Sequence, residues 1–263
     1  MAIPLLILAK PSKVLTLFLI NSLIVASKKS MDRKYAEYLM EETRKNYNLT
    51  AEDYTRTRSF IPEDLKCLGE YTEERERVLD SGCASGRFYE VLKDKNADFY
   101  GIDFSEKLID IAKKQYPEGK FQVANVLNAP FPENYFDKVY SISVLHNIPS
   151  KELQLQYLKE MKRILKPGGF LVLRVWDFWT RREGWRLFLK YTFLKLFGES
   201  KLDFFDVFAP WKDSQEKVVV QRYFHCFTKR NIVSLVKEAG FEIKKAWRAG
   251  EDPRANIYIV VEK

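Results

Sequence analysis

Hydrophobic positions along this chain fall into two kinds of segment, short apolar runs and longer stretches in which apolar residues recur at helical spacing. The short runs predict buried strands at Val78–Asp80, at Phe99–Asp103, from Phe121, at Phe136–Val144 and at Phe170–Val175. The longer stretches predict helices at Arg87–Lys93, Glu152–Leu165 and Thr228–Ala239. Because strands alternate with helices, the pattern predicts an α/β fold with a doubly wound, mostly parallel sheet.

The first predicted strand ends at Asp80 and runs directly into a turn of small residues. Gly82, Ala84 and Gly86 leave backbone that a ligand can approach closely. A helix is predicted to follow at once, so free N–H groups and the positive end of the helix dipole would face that ligand. Together these features predict the first half of a nucleotide-binding βαβ unit.

A second acidic residue, Asp103, ends the second predicted strand, 23 residues after Asp80. A carboxylate at this position can accept hydrogen bonds from both hydroxyls of a ribose. Phe104 follows it, where its ring could lie against an adenine face. The alternative is that Asp103 only precedes Ser105, a residue suited to capping the next helix.

The order of small residues resembles a known family motif. After Asp80, small residues stand at every second position. This pattern resembles the first motif of class I S-adenosylmethionine (SAM) methyltransferases, with Ala84 in place of the middle glycine. The Lys166–Gly169 segment, between an amphipathic helix and an apolar strand, resembles another landmark of that family. The resemblance implies a Rossmann-like fold with seven strands, whose last strand is antiparallel and belongs to the pair Phe241–Trp247 and Asn256–Lys263.

The same resemblance implies SAM as the cofactor and a set of residues that hold it. In the family, an aspartate usually stands where this chain has Asn125, and it bonds the adenine amino group. The carbonyl oxygen of Asn125 could accept the same bond, but without the assistance of a charge. The cofactor-binding residues implied in this way lie at or just after the predicted strand ends: Asp80, Gly82, Ala84, Gly86, Asp103, Phe104, Asn125 and Val126.

The first thirty residues differ from the rest of the chain. Val14–Ala26 is an apolar run shorter than the roughly 20 residues that a membrane span needs, and four lysines but no acidic residue surround it within residues 1–30. We interpret residues 1–30 as an extension from an upstream start codon, with a membrane-surface anchor and a secretion signal as alternatives. The methyltransferase domain is then expected to occupy residues 31–263, away from membranes.

Charge and cysteine content narrow the classes of protein further. Of the formal net charge of +8, residues 31–263 carry +4, an excess that permits a phosphate-bearing partner without requiring one. The three cysteines form no C-x-x-C pair, which favours the reducing cytoplasm over a disulfide framework. No cluster of His, Cys and carboxylate residues has the spacing of a metal site, so none is predicted.

An insertion after the fifth strand, residues 176–227, is expected to lie on the substrate side. It is rich in aromatic and basic residues, which suits either a lid that stacks on bases or the inner face of a substrate-binding helix. Three segments, around Arg58, around His146 and from Gln221 onward, resemble the tRNA wobble-uridine carboxymethyl methyltransferases. That resemblance implies a carboxylate as methyl acceptor, tRNA as substrate and a small zinc-binding activator subunit as partner.

Three residues are candidates for the reaction itself. Arg58 and Arg222 could grip a carboxylate in a bidentate manner, and His146 could orient the acceptor or take a proton from a protic one. Methyl transfer from a sulfonium depends mainly on alignment, so strong acids and bases are not required. Two alternatives stay open: a small-molecule O- or N-methyltransferase, and a SAM-binding protein without catalytic activity, which the departures at Ala84 and Asn125 suggest.

Overall fold

The computed structural model describes residues 30–212, 217–250 and 255–263, and the predicted extension lies outside them apart from Ser30. The helices of eight residues or more are α1 (Arg33–Leu49), α5 (Glu106–Gln115), α6 (Lys151–Ile164), α7 (Arg182–Leu196) and α8 (Lys229–Glu238). Shorter helices are α2 (Ala51–Arg56), α3 (Glu63–Gly69) and α4 (Tyr89–Leu92). Within the described ranges, no helix is both long enough and apolar enough to cross a bilayer.

Seven strands form the main sheet, in the spatial order β3-β2-β1-β4-β5-β9-β8. They are β1 (Arg77–Ser81), β2 (Asp98–Asp103), β3 (Lys120–Val123), β4 (Phe136–Ile142), β5 (Leu165–Trp176), β8 (Glu242–Ala249) and β9 (Asn256–Glu262). The first five are parallel, and β9 runs antiparallel to both β5 and β8. The predicted fold class is therefore confirmed, including the antiparallel last strand.

Helices cover both faces of this sheet and complete its core. One apolar cluster packs α6 and α8 against β4, β5 and β9, and a second packs α3 and α5 against the opposite face. Helices α5 and α8 begin with side-chain caps: the Ser105 hydroxyl accepts the Leu108 N–H, as its position suggested, and the Thr228 hydroxyl accepts the Asn231 N–H. Capping satisfies N–H groups that the first helical turn leaves unpaired.

Two predicted elements differ most from the structure, and the fourth strand ends at Ile142, two residues before the predicted Val144. The helix predicted at Arg87–Lys93 is reduced to Tyr89–Leu92, followed by a 3₁₀ turn at Lys93–Lys95 that ends at Asn96 in the left-handed conformation. The fifth strand was predicted to begin at Phe170, but β5 already begins at Leu165, because Leu165 pairs with Phe136 across an irregularity in the ladder. Backbone pairing with β4 therefore extends β5 through the Pro-Gly-Gly segment.

The insertion forms its own small layer beside the carboxyl end of β5. It contains helix α7 and the antiparallel hairpin of β6 (Asp206–Lys212) and β7 (Val218–His225). Helix α7 packs on this hairpin, with Phe188 stacking on Phe205 and Tyr191 meeting Phe208 edge to face. The composition of the insertion predicted aromatic packing, but the hairpin itself was not predicted.

Candidate cofactor and acceptor site

The small-residue loop after β1 is fixed by the end of β2. The N–H groups of Gly82 and Cys83 donate to the Ile102 carbonyl oxygen at 2.7 and 2.9 Å, and the Ala84 N–H donates to Asp103 Oδ2 at 3.0 Å. These bonds hold the loop across the carboxyl ends of the two neighbouring strands. A ligand placed there would meet backbone rather than bulky side chains.

Left-handed backbone explains why small residues stand in this loop. Gly82, Ala84 and Gly86 have φ angles of 80°, 50° and 79°. At Gly82 an added Cβ would lie 2.3 Å from Val144 Cγ2, so no larger residue fits without a shift. Ala84 occupies the position of the family's middle glycine in a conformation that costs a residue with a Cβ roughly 1–2 kcal/mol.

Asp80 is buried at the end of β1, and its Oδ1 has no hydrogen-bond partner in the described structure. Burial raises the pKa of Asp80 to about 8, and the nearby Asp103 adds to this effect. An unpaired buried oxygen of this kind is costly. It fits the ammonium group of the methionine end of SAM, which would supply both the missing donor and a compensating charge.

Asp103 accepts two backbone bonds and retains further lone pairs. Ser105 N–H donates to its Oδ1 at 2.9 Å, and Ala84 N–H donates to its Oδ2. Burial raises the pKa of Asp103 to about 6, while the backbone bonds oppose this rise. A carboxylate oxygen accepts more than one hydrogen bond, so two ribose hydroxyls fit the remaining positions.

A cavity opens over this loop between the sheet and helix α1. Five of the predicted cofactor residues line this cavity: Gly82, Ala84, Asp103, Phe104 and Val126. Asp80 lines an adjoining hollow that shares Gly82 and Ala84 with the cavity, together with Arg58. The structure thus brings these predicted residues together around one loop.

Gly86 and Asn125 lie outside the lining of that cavity. Gly86 provides close packing, since an added Cβ would lie 2.8 Å from Phe121 Cζ. Asn125 is exposed, and its Oδ1 accepts the Leu127 N–H at 2.9 Å. The oxygen expected to bond adenine is therefore engaged in a local turn, which sequence reasoning did not anticipate because Asn readily bonds the backbone two residues on.

His146 is placed differently from its expected position near the methyl group. Its ring is 1% exposed, lies against Trp176 and Phe224, and accepts the Trp176 N–H at Nδ1. Burial, reinforced by the charges of Arg174 and Arg222, holds the pKa of His146 well below its usual range. In this arrangement His146 is a neutral packing residue behind the site, and the ring does not line the cavity.

Arg58 and Arg222 converge on one indole ring. The Cζ atom of Arg58 lies 5.0 Å from the centroid of Trp211 and 4.0 Å from that of Tyr54, and the Cζ atom of Arg222 lies 4.5 Å from the centroid of Trp211. The two guanidinium groups come from opposite ends of the chain, one after α2 and one on β7. We call Arg58, Arg222, Trp211 and Tyr54 the arginine pair site.

Neither arginine of this site has a carboxylate partner among the described residues. Arg222 is largely buried, its Nε lacks a hydrogen-bond partner, and burial lowers the pKa of its guanidinium. Asp53, beside the same indole, accepts the Trp211 Nε1–H at 2.9 Å and pairs with Arg56 instead. Two adjacent cations without a counter-ion form a site for an anion.

Tyr54 connects the arginine pair site to the cofactor cavity. Its ring stacks on Trp211, contacts Tyr47 edge to face, and lines the cavity together with Tyr47. Sequence reasoning missed Tyr47 as a site residue, since no local motif marks an aromatic residue near the end of an amphipathic helix. Only the packing of α1 over the loop places it there.

Comparison with known proteins defines the class of this fold and site. Residues 79–173 match a family profile described as "Methyltransferase domain". The chain therefore contains a class I SAM-dependent methyltransferase domain, with SAM as its cofactor. Across the described residues, no group of three or more His, Cys, Asp or Glu side chains is arranged to hold a metal ion.

Similar sequences point toward proteins that act on tRNA. The tRNA (carboxymethyluridine(34)-5-O)-methyltransferase of Schizosaccharomyces pombe is 29% identical over 205 residues, which cover 70% of this chain and 80% of that protein. The mouse protein named "Probable tRNA methyltransferase 9B" is 29% identical over 147 residues, which cover 56% of this chain. The matched region spans only 30% of the length of that mouse relative and of its human and bovine counterparts.

Solved structures agree on the fold. A SAM-dependent methyltransferase from Methanosarcina mazei has a TM-score of 0.64 at 22% identity, covering 75% of this chain and 96% of its own. A Burkholderia thailandensis 1,6-didemethyltoxoflavin-N1-methyltransferase with bound S-adenosylhomocysteine has a TM-score of 0.62 at 14% identity, covering 90% and 92%. A methyltransferase in complex with the Haloferax volcanii Trm112 activator has a TM-score of 0.56 at 16% identity, covering 84% and 96%.

Proposed function

We propose that this protein transfers the methyl group of SAM to an oxygen acceptor, a carboxylate carried by a modified wobble uridine of tRNA. The S. pombe relative, named for a reaction on carboxymethyluridine at position 34, supports this substrate. The observation that carries the proposal is the arginine pair site, in which two arginines without a carboxylate partner among the described residues adjoin the cofactor cavity. A carboxylate substituent on a base matches such a site in both charge and shape.

The proposed reaction requires alignment more than proton transfer. SAM, when bound, supplies a methyl group on a positively charged sulfur. Arg58 and Arg222 would hold the substrate carboxylate so that one of its oxygens points into the cavity, while Tyr47 and Tyr54 keep water from the path. A C–O bond forms as the C–S bond breaks, leaving S-adenosylhomocysteine and a methyl ester. A carboxylate has no proton to lose, so a neutral, buried His146 is consistent with this reaction.

Trp211 orders the arginine pair site, near which the substrate base is expected. The wobble base of a tRNA lies in a single-stranded loop, and such bases are commonly stacked on aromatic side chains. The indole is held in orientation by its bond to Asp53 and is flanked by two cations that suit a phosphate backbone as well as a carboxylate. Trp211 is itself buried and already stacked by Tyr54, so we assign the substrate base to the entrance of the arginine pair site and not to the indole face.

The test of this proposal compares tRNA with metabolites. Purified protein is incubated with methyl-labelled SAM and either total tRNA or a metabolite extract, and the labelled nucleoside is identified after digestion. Arg222→Gln should lower turnover on tRNA by roughly 10- to 100-fold, since it removes a charge-assisted contact, while S-adenosylhomocysteine affinity stays within about twofold. The matched control is Arg56→Gln, an exposed arginine on α2 that pairs with Asp53.

Other outcomes of the same assay would contradict the proposal. Label in the metabolite fraction alone would favour the small-molecule methyltransferase, a class to which one of the structural neighbours belongs. Tight cofactor binding with no labelled product in either fraction would favour a protein without catalytic activity. If Arg222→Gln weakens cofactor binding and turnover equally, this arginine belongs to the cofactor site.

An activator subunit and a cytoplasmic location complete the proposal. A structural neighbour was solved in complex with the Trm112 activator, which supports a partner of this kind for the present chain. We expect that partner on an edge of the main sheet, where β3 presents the exposed apolar side chain of Val123. Assays of turnover should therefore include a candidate activator, since the chain alone could bind SAM and still turn over slowly.

A further inference from the structure

Helix α7 has an apolar face that the described residues leave largely uncovered, with only Trp185 partly covered by Trp179 and Phe188. Its inner side packs on the β6–β7 hairpin, whereas five large apolar side chains on its outer side and at its end are 38% to 77% exposed: Trp185, Leu189, Phe193, Leu196 and Phe197. The first four recur at intervals of three and four residues, so they form one stripe along the helix. We call these five residues the α7 outer face.

Basic side chains border this stripe. Arg182, Arg186 and Lys190 are exposed on the same side of the helix, and none of the three has an ion-pair partner in the described part of the chain. Glu183 is the one acidic residue within α7, in its first turn. A helix with exposed Trp, Leu and Phe side chains bordered by Arg and Lys has the composition of a segment that lies in a membrane interface.

The first described residues contact the segment that follows α7. The Met31 N–H donates to Asp203 Oδ1 at 2.7 Å, and the Lys201 ammonium lies 5.6 Å from the Tyr35 ring centroid. Both contacts involve the segment that directly follows α7. In sequence, residues 1–29 contain the apolar run Val14–Ala26 and four lysines without an acid, a composition that also suits an anionic lipid surface.

From this arrangement we infer that the α7 outer face docks on an anionic lipid bilayer. The apolar side chains enter the boundary between headgroups and acyl chains, while Arg182, Arg186 and Lys190 extend to the phosphates. The domain then lies on the membrane surface without crossing it. This inference concerns localisation and is independent of the proposed methyl acceptor.

Like-charge repulsion disfavours two other binding partners of the α7 outer face, namely residues 1–29 and a second copy of the chain. Residues 1–29 are themselves basic, so their packing on the α7 outer face would bring like charges together. A symmetric pairing of two copies through the same helix would likewise oppose Arg182, Arg186 and Lys190 to their equivalents.

Flotation of the full chain with lipid vesicles tests this inference. We expect binding to phosphatidylcholine vesicles that contain phosphatidylserine, weaker binding at higher salt, and little binding to phosphatidylcholine alone. Phe193→Ser combined with Phe197→Ser should weaken binding by roughly tenfold or more. Arg186→Gln combined with Lys190→Gln should weaken it roughly 25-fold, at about fivefold for each charge.

A matched control distinguishes binding through the α7 outer face from nonspecific binding by exposed apolar side chains. Tyr38→Ser combined with Leu49→Ser removes two exposed apolar side chains from α1 and should leave vesicle binding unchanged. Thermal unfolding and S-adenosylhomocysteine affinity of all variants show whether the fold is retained. Vesicle binding that survives both pairs of α7 substitutions would overturn the inference. So would α7 variants that lose tRNA binding or self-association while vesicle binding is unaffected.

Discussion

Asp80→Asn is the substitution that most directly tests the cofactor site. The amide has nearly the same shape as the carboxyl group but cannot ionise. The pKa of Asp80 is raised from 3.8 to about 8, mainly by burial. Between these two pH values the native state retains a proton that the unfolded chain releases, so the free energy of unfolding of the ligand-free protein falls as pH rises.

The size of this effect follows from the same shift. Each pH unit between the two pKa values corresponds to about 1.4 kcal/mol, and about three units lie between the unfolded pKa and pH 7. Allowing for relaxation around a buried group, the asparagine variant without ligand should be more stable by about 2–4 kcal/mol at pH 7. At pH 5 the stability advantage of the variant should be less than half as large, because this pH lies only slightly above the pKa of 3.8 that Asp80 has in the unfolded chain.

Cofactor binding should change in the opposite direction. An ionised Asp80 would pair with the ammonium group of the ligand, so Asp80→Asn should weaken S-adenosylhomocysteine binding by about 1.5–3 kcal/mol, or roughly 10- to 150-fold. Below pH 8 the wild-type affinity should fall by up to about tenfold per pH unit, because binding requires the carboxyl group to lose its proton. The variant should lack this dependence.

Calorimetric titration with S-adenosylhomocysteine and thermal unfolding, each at pH 5, 7 and 8, measure both effects. Asp98→Asn is the matched control, since bonds from Lys120 and Arg77 outweigh burial and lower the pKa of Asp98. This control should lose stability at pH 7 and keep its ligand affinity. Unchanged affinity in Asp80→Asn would refute the ammonium assignment, and the absence of any stabilisation at pH 8 would refute the protonated carboxyl group.

Two further predictions concern the loop and the buried histidine. Ala84→Gly removes a Cβ from a residue with a positive φ and should stabilise the protein by about 1 kcal/mol. Gly82→Ala places a Cβ against Val144, so it should destabilise the protein and weaken S-adenosylhomocysteine binding. Chemical denaturation and ligand titration measure both variants, and equal effects of the two substitutions would contradict the strain argument. Because His146 has a lowered pKa, the unfolded chain binds a proton below about pH 6.5 that the native state excludes, so stability falls on acidification. His146→Phe should flatten this part of the stability profile, and an unchanged profile would show that His146 is not its source.

Much of the cofactor site could be predicted from the sequence because its geometry is local. The strand end at Asp80, the small residues of the loop and the cap at Ser105 each depend on the conformation of a few neighbouring residues. The βαβ connection then determines that Asp103 ends the adjacent strand, where its carboxylate accepts the Ala84 N–H. The alternation of strands and helices predicted the mostly parallel sheet, whereas its seven strands were implied by the family resemblance.

Tertiary structure decided the rest, because it depends on contacts between distant residues. Trp211 and Asp53 are 158 positions apart, and only the β6–β7 hairpin packed beside α2 brings Arg58 and Arg222 to one indole ring. His146 lies in a segment that the sequence marks for function, yet the same hairpin buries it. Likewise, helical spacing shows that α7 has an apolar stripe, but only the packing of its other side on the hairpin leaves that stripe exposed. Local patterns specify conformation, whereas burial and charge pairing are set by what the rest of the chain places around each residue.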